Sequence, residues 1–144
     1  MTDTITLTLP MTPDRRLAPN RNNGRMRWTT GEWIKADRDK ARFNAGHHIL
    51  DSPISDPVQV AVTIYWGKSL KAGKKRARIE QDRRLDWDSA TALCKPMIDG
   101  ALVDTGILAD DRQIVSGTVW QDVDPSGEGY TVITLTTIAG RQAA

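Results

Sequence analysis

Alternating apolar and polar residues predict two β-strands in the first half of the chain. Residues 4–9 alternate threonine with isoleucine or leucine up to Pro10, which is the two-residue period of a half-buried strand. The same alternation runs through 58–66, where apolar residues occupy every second position. Each strand therefore has one face suited to a core and one suited to solvent.

Apolar residues at helical spacing predict one helix between these strands and another after the second strand. The first extends from an N-cap at Thr29 or Thr30 to about Leu50, because threonine is a favourable N-cap. The second covers about 88–105, where Pro96 removes a backbone donor and should bend the helix or leave its first half irregular.

Two further strands are predicted over 113–123 and 129–138, joined as a hairpin by the turn residues Asp124 to Glu128. The predicted order is β-α-β-α-β-β. We therefore expect an α/β (α+β) fold with a mixed sheet and two helices on one face, since connections between consecutive elements are usually short.

The composition fits one domain covering 1–144. The chain has 144 residues, 39% hydrophobic and 26% charged, which is enough to form a core without disulfides. Cys94 is the single cysteine. The sequence has neither a signal-peptide pattern nor an apolar run long enough to cross a membrane, so we expect a cytoplasmic protein.

Charge is distributed unevenly along the chain. Residues 1–84 contain 17 Lys and Arg against 9 Asp and Glu, whereas 85–144 contain 3 against 9. A basic half joined to an acidic half suggests a polyanionic partner such as DNA. We expect mobile basic loops at about 11–28 and 67–84. The candidate DNA-binding residues are Arg15, Arg16, Arg21, Arg25, Arg27, Lys68, Lys71, Lys74, Lys75, Arg76, Arg78, Arg83 and Arg84.

Carboxylates cluster directly after the second basic loop. Asp86 and Asp88 flank Trp87, and in an extended chain their side chains would project from the same side. Asp110 and Asp111 precede a predicted strand that could return to the same place. Oxygen ligands without Cys or His suit Mg²⁺ or Mn²⁺. Alternatively, Asp88 caps the helix, Asp86 is solvated, and the Asp110-Asp111 pair forms a turn.

Lys95 follows Asp88 by seven residues, and Asp99 follows Lys95 by four, so all three share one face of the predicted helix. Such a face can be an ordinary surface ion-pair stripe. It can also direct a cation towards a scissile phosphate, where the positive charge stabilises the developing oxyanion.

Residues 84–115 resemble the RusA family of Holliday junction resolvases, which is common in phages and prophages. The resemblance lies in three runs: Arg84-Leu-Asp86-Trp-Asp88-Ser, Lys95-Pro-Met-Ile-Asp99-Gly-Ala-Leu102, and Gly106-Ile-Leu-Ala-Asp110-Asp111. The opening Ile-Thr-Leu-Thr-Leu-Pro also resembles the family's first strand. Ser89 stands where the family pattern has Asn, and the interval from Asp88 to Lys95 is three residues longer than in the shortest family pattern.

The resemblance implies a Mg²⁺-dependent endodeoxyribonuclease that resolves four-way junctions by paired nicks in recombination and repair, acting as a homodimer. It implies metal-binding catalytic residues at Asp86, Asp88 and Asp111, with Lys95 assisting catalysis. Two alternatives remain open at this point. One is a non-catalytic DNA-binding module, and the other is a metal-dependent nuclease that acts on flaps or forks.

Other candidates carry weaker signals. His47 and His48 are adjacent on a predicted helix, so they point about 100° apart and do not readily share a metal. Cys94 should pack as a small apolar side chain. Of the five tryptophans, Trp28 and Trp87 lie beside charged clusters and are the two that we consider for stacking on exposed bases.

Overall fold

The computed structural model describes residues 3–17, 27–46, 52–67 and 84–138. These residues form a four-stranded mixed sheet in the order β1-β4-β2-β3. The strands are β1 (Thr4–Leu9), β2 (Val58–Trp66), β3 (Ile114–Val123) and β4 (Tyr130–Thr137). β2 is parallel to β3, whereas β4 is antiparallel to both of its neighbours. The predicted α+β class is confirmed.

The core lies on one face of the sheet because the apolar period of the strands is two. Every second residue of β2, from Val58 to Trp66, is buried. Leu7 of β1 pairs with Ile133 of β4, which in turn pairs with Val62 of β2, so buried side chains form rows across the strands. This register is strongly specified, since a slip of one residue would turn each apolar set towards solvent.

The predicted hairpin between β3 and β4 is wrong, because β2 lies between these two strands. Their connection instead crosses the end of β2, where the Asp124 amide donates to the Trp66 carbonyl at 2.9 Å. A Cβ on Gly67 would lie 2.8 Å from the backbone of Glu128. The chain does reverse at the predicted turn residues, but the types of residue in a turn indicate only that the chain reverses and not which strands pair.

Two helical regions pack on the buried face of the sheet. Helix α1 spans Arg27–Ala45, and the second region comprises α2 (Trp87–Leu93), α3 (Lys95–Ile98) and a π-helical segment (Asp99–Asp104). The predicted irregularity near Pro96 is confirmed, since the second region divides at Cys94 and Pro96 lies in the first turn of α3. A proline is tolerated there because first-turn amides lack helical acceptors.

The two helical regions approach closely at Gly100. A Cβ at this position would lie 2.0 Å from the carbonyl oxygen of Arg38, so only glycine allows this approach. Beside the crossing, the Arg38 guanidinium donates to both carboxylate oxygens of Asp104 at 2.5 and 2.6 Å. The crossing therefore fixes α1 against the segment that leads to β3.

Some of the predicted boundaries differ from the observed ones. Helix α1 begins at Arg27, two residues before the predicted cap, and its predicted end at Leu50 lies outside the described residues. Helix α2 begins at Trp87, one residue earlier than expected. A short 3₁₀ turn at Arg15–Leu17 occurs in the segment that was predicted to lack regular structure.

Most of the two predicted basic loops lies outside the described residues, which omit 18–26 and 68–83. Within the described part of the chain, no helix is both long enough and apolar enough to cross a membrane.

Candidate active site

The first part of the candidate site is the pair of carboxylates at the start of α2. Asp86 is the N-cap residue and Asp88 lies in the first helical turn, so the backbone is helical here rather than extended. The two carboxyl groups nevertheless lie within hydrogen-bonding reach of each other. The N-cap side chain folds back over the first turn, which brings residues two apart together without an extended chain.

Asp86 is held as an anion by local donors. Its own backbone N–H, followed by the hydroxyl of Ser89, lowers the pKa of Asp86 below its ordinary value. The Ser89 Oγ donates to Asp86 at 3.1 Å. Ser89 therefore acts as a hydrogen-bond donor at the position where the family pattern has Asn.

Gln121 of β3 fixes the chain that leads into Asp86. Its side-chain oxygen accepts from the Leu85 amide at 2.7 Å, and its side-chain nitrogen donates to the Leu85 carbonyl at 2.7 Å. The same oxygen accepts from the Trp66 indole at 3.0 Å. This amide therefore ties the start of α2 to the sheet. The sequence analysis missed Gln121, although a polar residue at a core-facing position of a strand is a signal for such a role.

The second part of the site is an ion pair between α3 and the start of β3. The Lys95 Nζ donates to Asp111 at 2.9 Å and to Asp99 at 3.2 Å. Sixteen residues separate Lys95 from Asp111, so tertiary folding brings together two of the motifs that carry the family resemblance. Because the Lys95 side chain is 63% exposed, the pair lies at the surface and is accessible to a large substrate.

Both charges of this pair are reinforced. The hydrogen bond from Lys95 is the largest cause that lowers the pKa of Asp111 below its ordinary value of 3.8. The Asp111 and Asp99 carboxylates raise the pKa of Lys95 above 10.5. Asp111 is therefore ionised down to about its ordinary pKa or below, and Lys95 is protonated up to its ordinary pKa or above. Both groups are therefore charged throughout this pH interval, and the ion pair persists across it.

A capping box positions Asp111. The Asp110 carboxylate accepts from the Arg112 amide at 3.0 Å, and the Gln113 side chain accepts from the Asp110 amide at 2.9 Å. Gln113 also donates to the carbonyl of Ile54 at 2.6 Å, which ties this turn to the segment before β2. Asp110 therefore has a structural role in this turn, and the neighbouring Asp111 side chain points towards Lys95.

The structure does not bring Asp86, Asp88 and Asp111 together as one cluster. Among residues 3–17, 27–46, 52–67 and 84–138, no three His, Cys, Asp or Glu side chains are grouped closely enough to hold a metal ion. Asp88 and Lys95 lie seven residues apart along a nearly continuous helix, which corresponds to a rise of about 10 Å. The site therefore consists of a carboxylate pair and an ion pair at opposite ends of the same helical face.

The carboxylate pair fits a hard divalent cation. Mg²⁺ commonly binds one or two carboxylates and completes its shell with water and phosphate oxygens. Asp86 and Asp88 supply two exposed, adjacent carboxyl groups, whereas Asp111 is occupied by Lys95. Asp86 and Asp88 are therefore the residues that would hold such an ion.

The predicted DNA-binding residues that the structure describes are held by local contacts. The Arg16 guanidinium lies 4.0 Å from the ring centre of Trp33 and donates to Asp14. The Arg15 guanidinium lies 4.6 Å from the ring centre of Trp66. Arg84 is exposed. Of the remaining candidates, Arg27 is described only as backbone, and Arg21, Arg25, Lys68, Lys71, Lys74, Lys75, Arg76, Arg78 and Arg83 lie outside the described residues.

The structure describes the side chains of some of the weaker candidates, namely the cysteine and one of the two tryptophans considered for stacking. Cys94 is fully buried, and burial raises the pKa of its thiol to about 12, which confirms that it packs as a small apolar side chain. Trp87 is 68% exposed between the two aspartates and is free of the core. Trp120, which lies on β3, is 67% exposed. The two histidines and the side chain of Trp28 lie outside the described residues.

A groove beside Lys95 was also missed by the sequence analysis. It has a volume of about 340 Å³ and lies between α1 and the α2–α3 region. Ile34, Arg38, Ala92 and Lys95 are among the residues that line it. A sequence pattern carries no signal for such a groove, because its walls come from two helices that are distant along the chain.

In comparisons with known proteins, no family model matches this chain, and no curated protein matches it. The chemistry of the site therefore has to be argued from its own residues.

Proposed function

We propose that the protein is a Mg²⁺-dependent endodeoxyribonuclease that cuts branched DNA, with four-way junctions as the preferred substrate. The observation that carries this proposal is the contact of 2.9 Å between Lys95 and Asp111. It unites two separate runs of the RusA-like pattern on the helical face that begins at Asp86 and Asp88. The two residues in contact, Lys95 and Asp111, are both part of the pattern that resembles the family.

Each residue then has a defined task. Asp86 and Asp88 would hold a divalent cation, and such an ion would supply charge neutralisation at the scissile phosphate and activate water. Lys95 is protonated and exposed, so its ammonium group can approach a phosphate oxygen and stabilise the developing negative charge. Asp111 and Asp99 hold that ammonium group in place. Trp87, exposed between the two carboxylates, is available to stack on an unpaired base.

A junction is resolved by two symmetric nicks, so one candidate site per subunit implies two copies related by a two-fold axis. The basic segments on either side of α1 and β2 supply phosphate contacts that do not depend on base sequence. The substrate of the proposed enzyme is thus defined by its branched shape more than by its bases.

A second candidate function is a non-catalytic DNA-binding module. The capped turn at Asp110 favours it, because the cap gives this carboxylate a structural role. The two functions differ in whether Asp88 is required for phosphodiester cleavage.

The test uses the purified protein with four-way junctions, flaps, forks and linear duplex, each with and without Mg²⁺. We expect cleavage of the junction, and we expect Asp88→Asn to reduce it by about 100-fold or more. Binding of the junction should be unchanged or slightly tighter, because a negative charge facing phosphates is removed. Asp122→Asn, which changes an exposed carboxylate on β3, is the matched control and should cut normally.

Several outcomes decide between the candidates. An Asp88→Asn protein that nicks junctions at the normal rate in Mg²⁺ contradicts the catalytic assignment. Binding without cleavage by the unchanged protein supports the DNA-binding module. Faster cleavage of flaps or forks than of junctions retains the nuclease but replaces its substrate.

A further inference from the structure

The groove between α1 and the α2–α3 region adjoins the candidate site through Lys95. Lys95 lines the groove and also donates to Asp111. A ligand in the groove would therefore lie next to the ammonium group of Lys95. The proposed function places the same ammonium group at the scissile phosphate. The position and chemistry of the groove are thus relevant to how the substrate binds.

The walls of the groove combine apolar surface with charge. Leu17, Ile34, Ala92 and Pro96 supply the apolar part, and Ile34 is 41% exposed, which is unusual for an isoleucine on a helix that packs on the core. An exposed apolar side chain inside a concave surface is typical of a ligand site. These side chains offer a face on which a flat apolar ring system can lie.

The polar part of the groove comes from Arg38, Lys95 and Asp99. Arg38 is paired with Asp104, and Lys95 with Asp99 and Asp111, but the Lys95 side chain is 63% exposed, so its ammonium group can also donate to an anionic group in the groove. The bidentate contact with Asp104 holds the plane of the Arg38 guanidinium. Asp99, whose side chain is only 17% exposed, can accept from an amino group. An apolar ring with an attached anion and polar edges is the chemistry of a nucleotide.

The volume of the groove limits how much DNA can enter. About 340 Å³ lies near the lower end of the range of small-ligand sites, about 300–1,000 Å³, so the groove can take one nucleotide and excludes a duplex. A base must therefore leave its stack to enter. Unstacking costs least where a base is unpaired or has lost a neighbour, and this is the situation at a branch point.

We propose that this groove receives one unstacked nucleotide adjacent to the scissile phosphate of branched DNA, and so contributes to recognition of the branch. The proposal rests on the proposed function, since it takes branched DNA as the substrate. Ile34 and Ala92 are the residues that would contact the base, while Lys95 faces the phosphate on its flank.

The experiment measures base unstacking directly. Four-way junctions carry 2-aminopurine at each position next to the branch point, and fluorescence is followed on binding without divalent metal, so that cleavage does not occur. We expect the fluorescence of at least one label to rise, because 2-aminopurine is quenched when it is stacked. Two variants fill the groove: Ile34→Trp from one wall and Ala92→Phe from the opposite wall. Each should reduce the rise in fluorescence about tenfold, which corresponds to a loss of about 1.4 kcal/mol in the free energy of inserting the base.

Phe43→Trp is the matched control. Phe43 lies on α1 like Ile34, is 85% exposed, and lines a different concavity, so the same large ring is added outside the groove. Its fluorescence response should equal that of the unchanged protein. Melting curves for all variants establish that each is folded, and two filling variants from opposite walls guard against a failure of either one to fold.

Two results overturn the proposal: no label responds when the unchanged protein binds, or both filled variants give the full response. Cleavage of the same junctions in Mg²⁺ is measured separately. If the filled variants lose the fluorescence rise but cut normally, the groove has no role in cleavage. If the unchanged protein unstacks the base and does not cut, the nuclease function fails while nucleotide binding in the groove stands.

Discussion

At the scale of single residues, the candidate site depends on how Lys95 is used. Its ammonium group contacts Asp99 on its own helix and Asp111 before β3. An exposed i,i+4 pair contributes only about 0.3–0.5 kcal/mol, so stability alone gives little reason for this arrangement. The second carboxylate makes Lys95 the link between α3 and the turn before β3.

We predict that Lys95→Ala lowers the single-turnover cleavage rate by about one to three orders of magnitude, because one oriented electrostatic stabiliser is lost. Its melting temperature should change little, since the lysine side chain is 63% exposed. Lys95→Arg retains the charge and should recover part of the rate. Asp99→Asn keeps the ammonium group but removes one of the carboxylates that hold it, so it should slow cleavage less than Lys95→Ala does. Lost stability with a normal rate in the folded fraction would instead assign Lys95 a structural role.

At the scale of elements, the approach of α1 to the π-helical segment decides the placement of the site. Gly100 lies against the backbone of Arg38, and the same segment leads from α3 towards Asp111. Any increase in the separation of these helices would move α3 relative to the turn that carries Asp111. Packing at Gly100 and the geometry of the candidate site are therefore coupled.

We predict that Gly100→Ala destabilises the protein by at least about 2 kcal/mol, because its Cβ meets backbone atoms that cannot rotate away. Urea unfolding measures the change in the free energy of unfolding. The matched control is Gly31→Ala in α1, where nothing lies within 4 Å of the added Cβ. That variant should gain up to about 1 kcal/mol from the higher helix propensity of alanine. Equal stabilities for the two variants would contradict the close approach.

At the scale of the whole molecule, the uneven charge along the chain is the basis for the proposed contact with DNA. The described part of the acidic half contains the candidate site, and the basic residues lie in the sequence on its N-terminal side. Arg15 and Arg16 already contact Trp66 and Trp33, which leaves the segment 68–84 as the main candidate for phosphate contacts.

We predict that neutralising Lys74, Lys75 and Arg76 together weakens binding and lowers the slope of log affinity against log salt by up to about 2.7, the value for three phosphate contacts. Neutralising Lys35, Lys40 and Arg42 on α1 removes the same charge and should leave the slope nearly unchanged. The slope is measured by fluorescence anisotropy over a salt series. If it is unchanged for the first variant, the DNA surface lies elsewhere, and the arginines of 15–27 become the next candidates.

The sequence by itself determined the local structure and the chemistry of this protein. The period of two in 58–66 and the helical spacing over 88–105 are set by which side chains must leave water, so β2 and the second helical region were predictable to within a residue or two. The carboxylates and Lys95 became candidates because of their types and spacing, and their roles in catalysis stay a prediction. The division of the helix at Cys94 followed from the missing amide of Pro96.

Only the tertiary structure decided what depends on residues distant along the chain. The insertion of β4 between β1 and β2 could not be predicted, because any strand of suitable period can satisfy a neighbour's hydrogen bonds and packing selects among them. The Lys95–Asp111 contact, the groove at Ile34 and the need for glycine at Gly100 arise from the same cause. Each depends on the distance between two helices or between a helix and a strand, and that distance is set by the packing of the whole core.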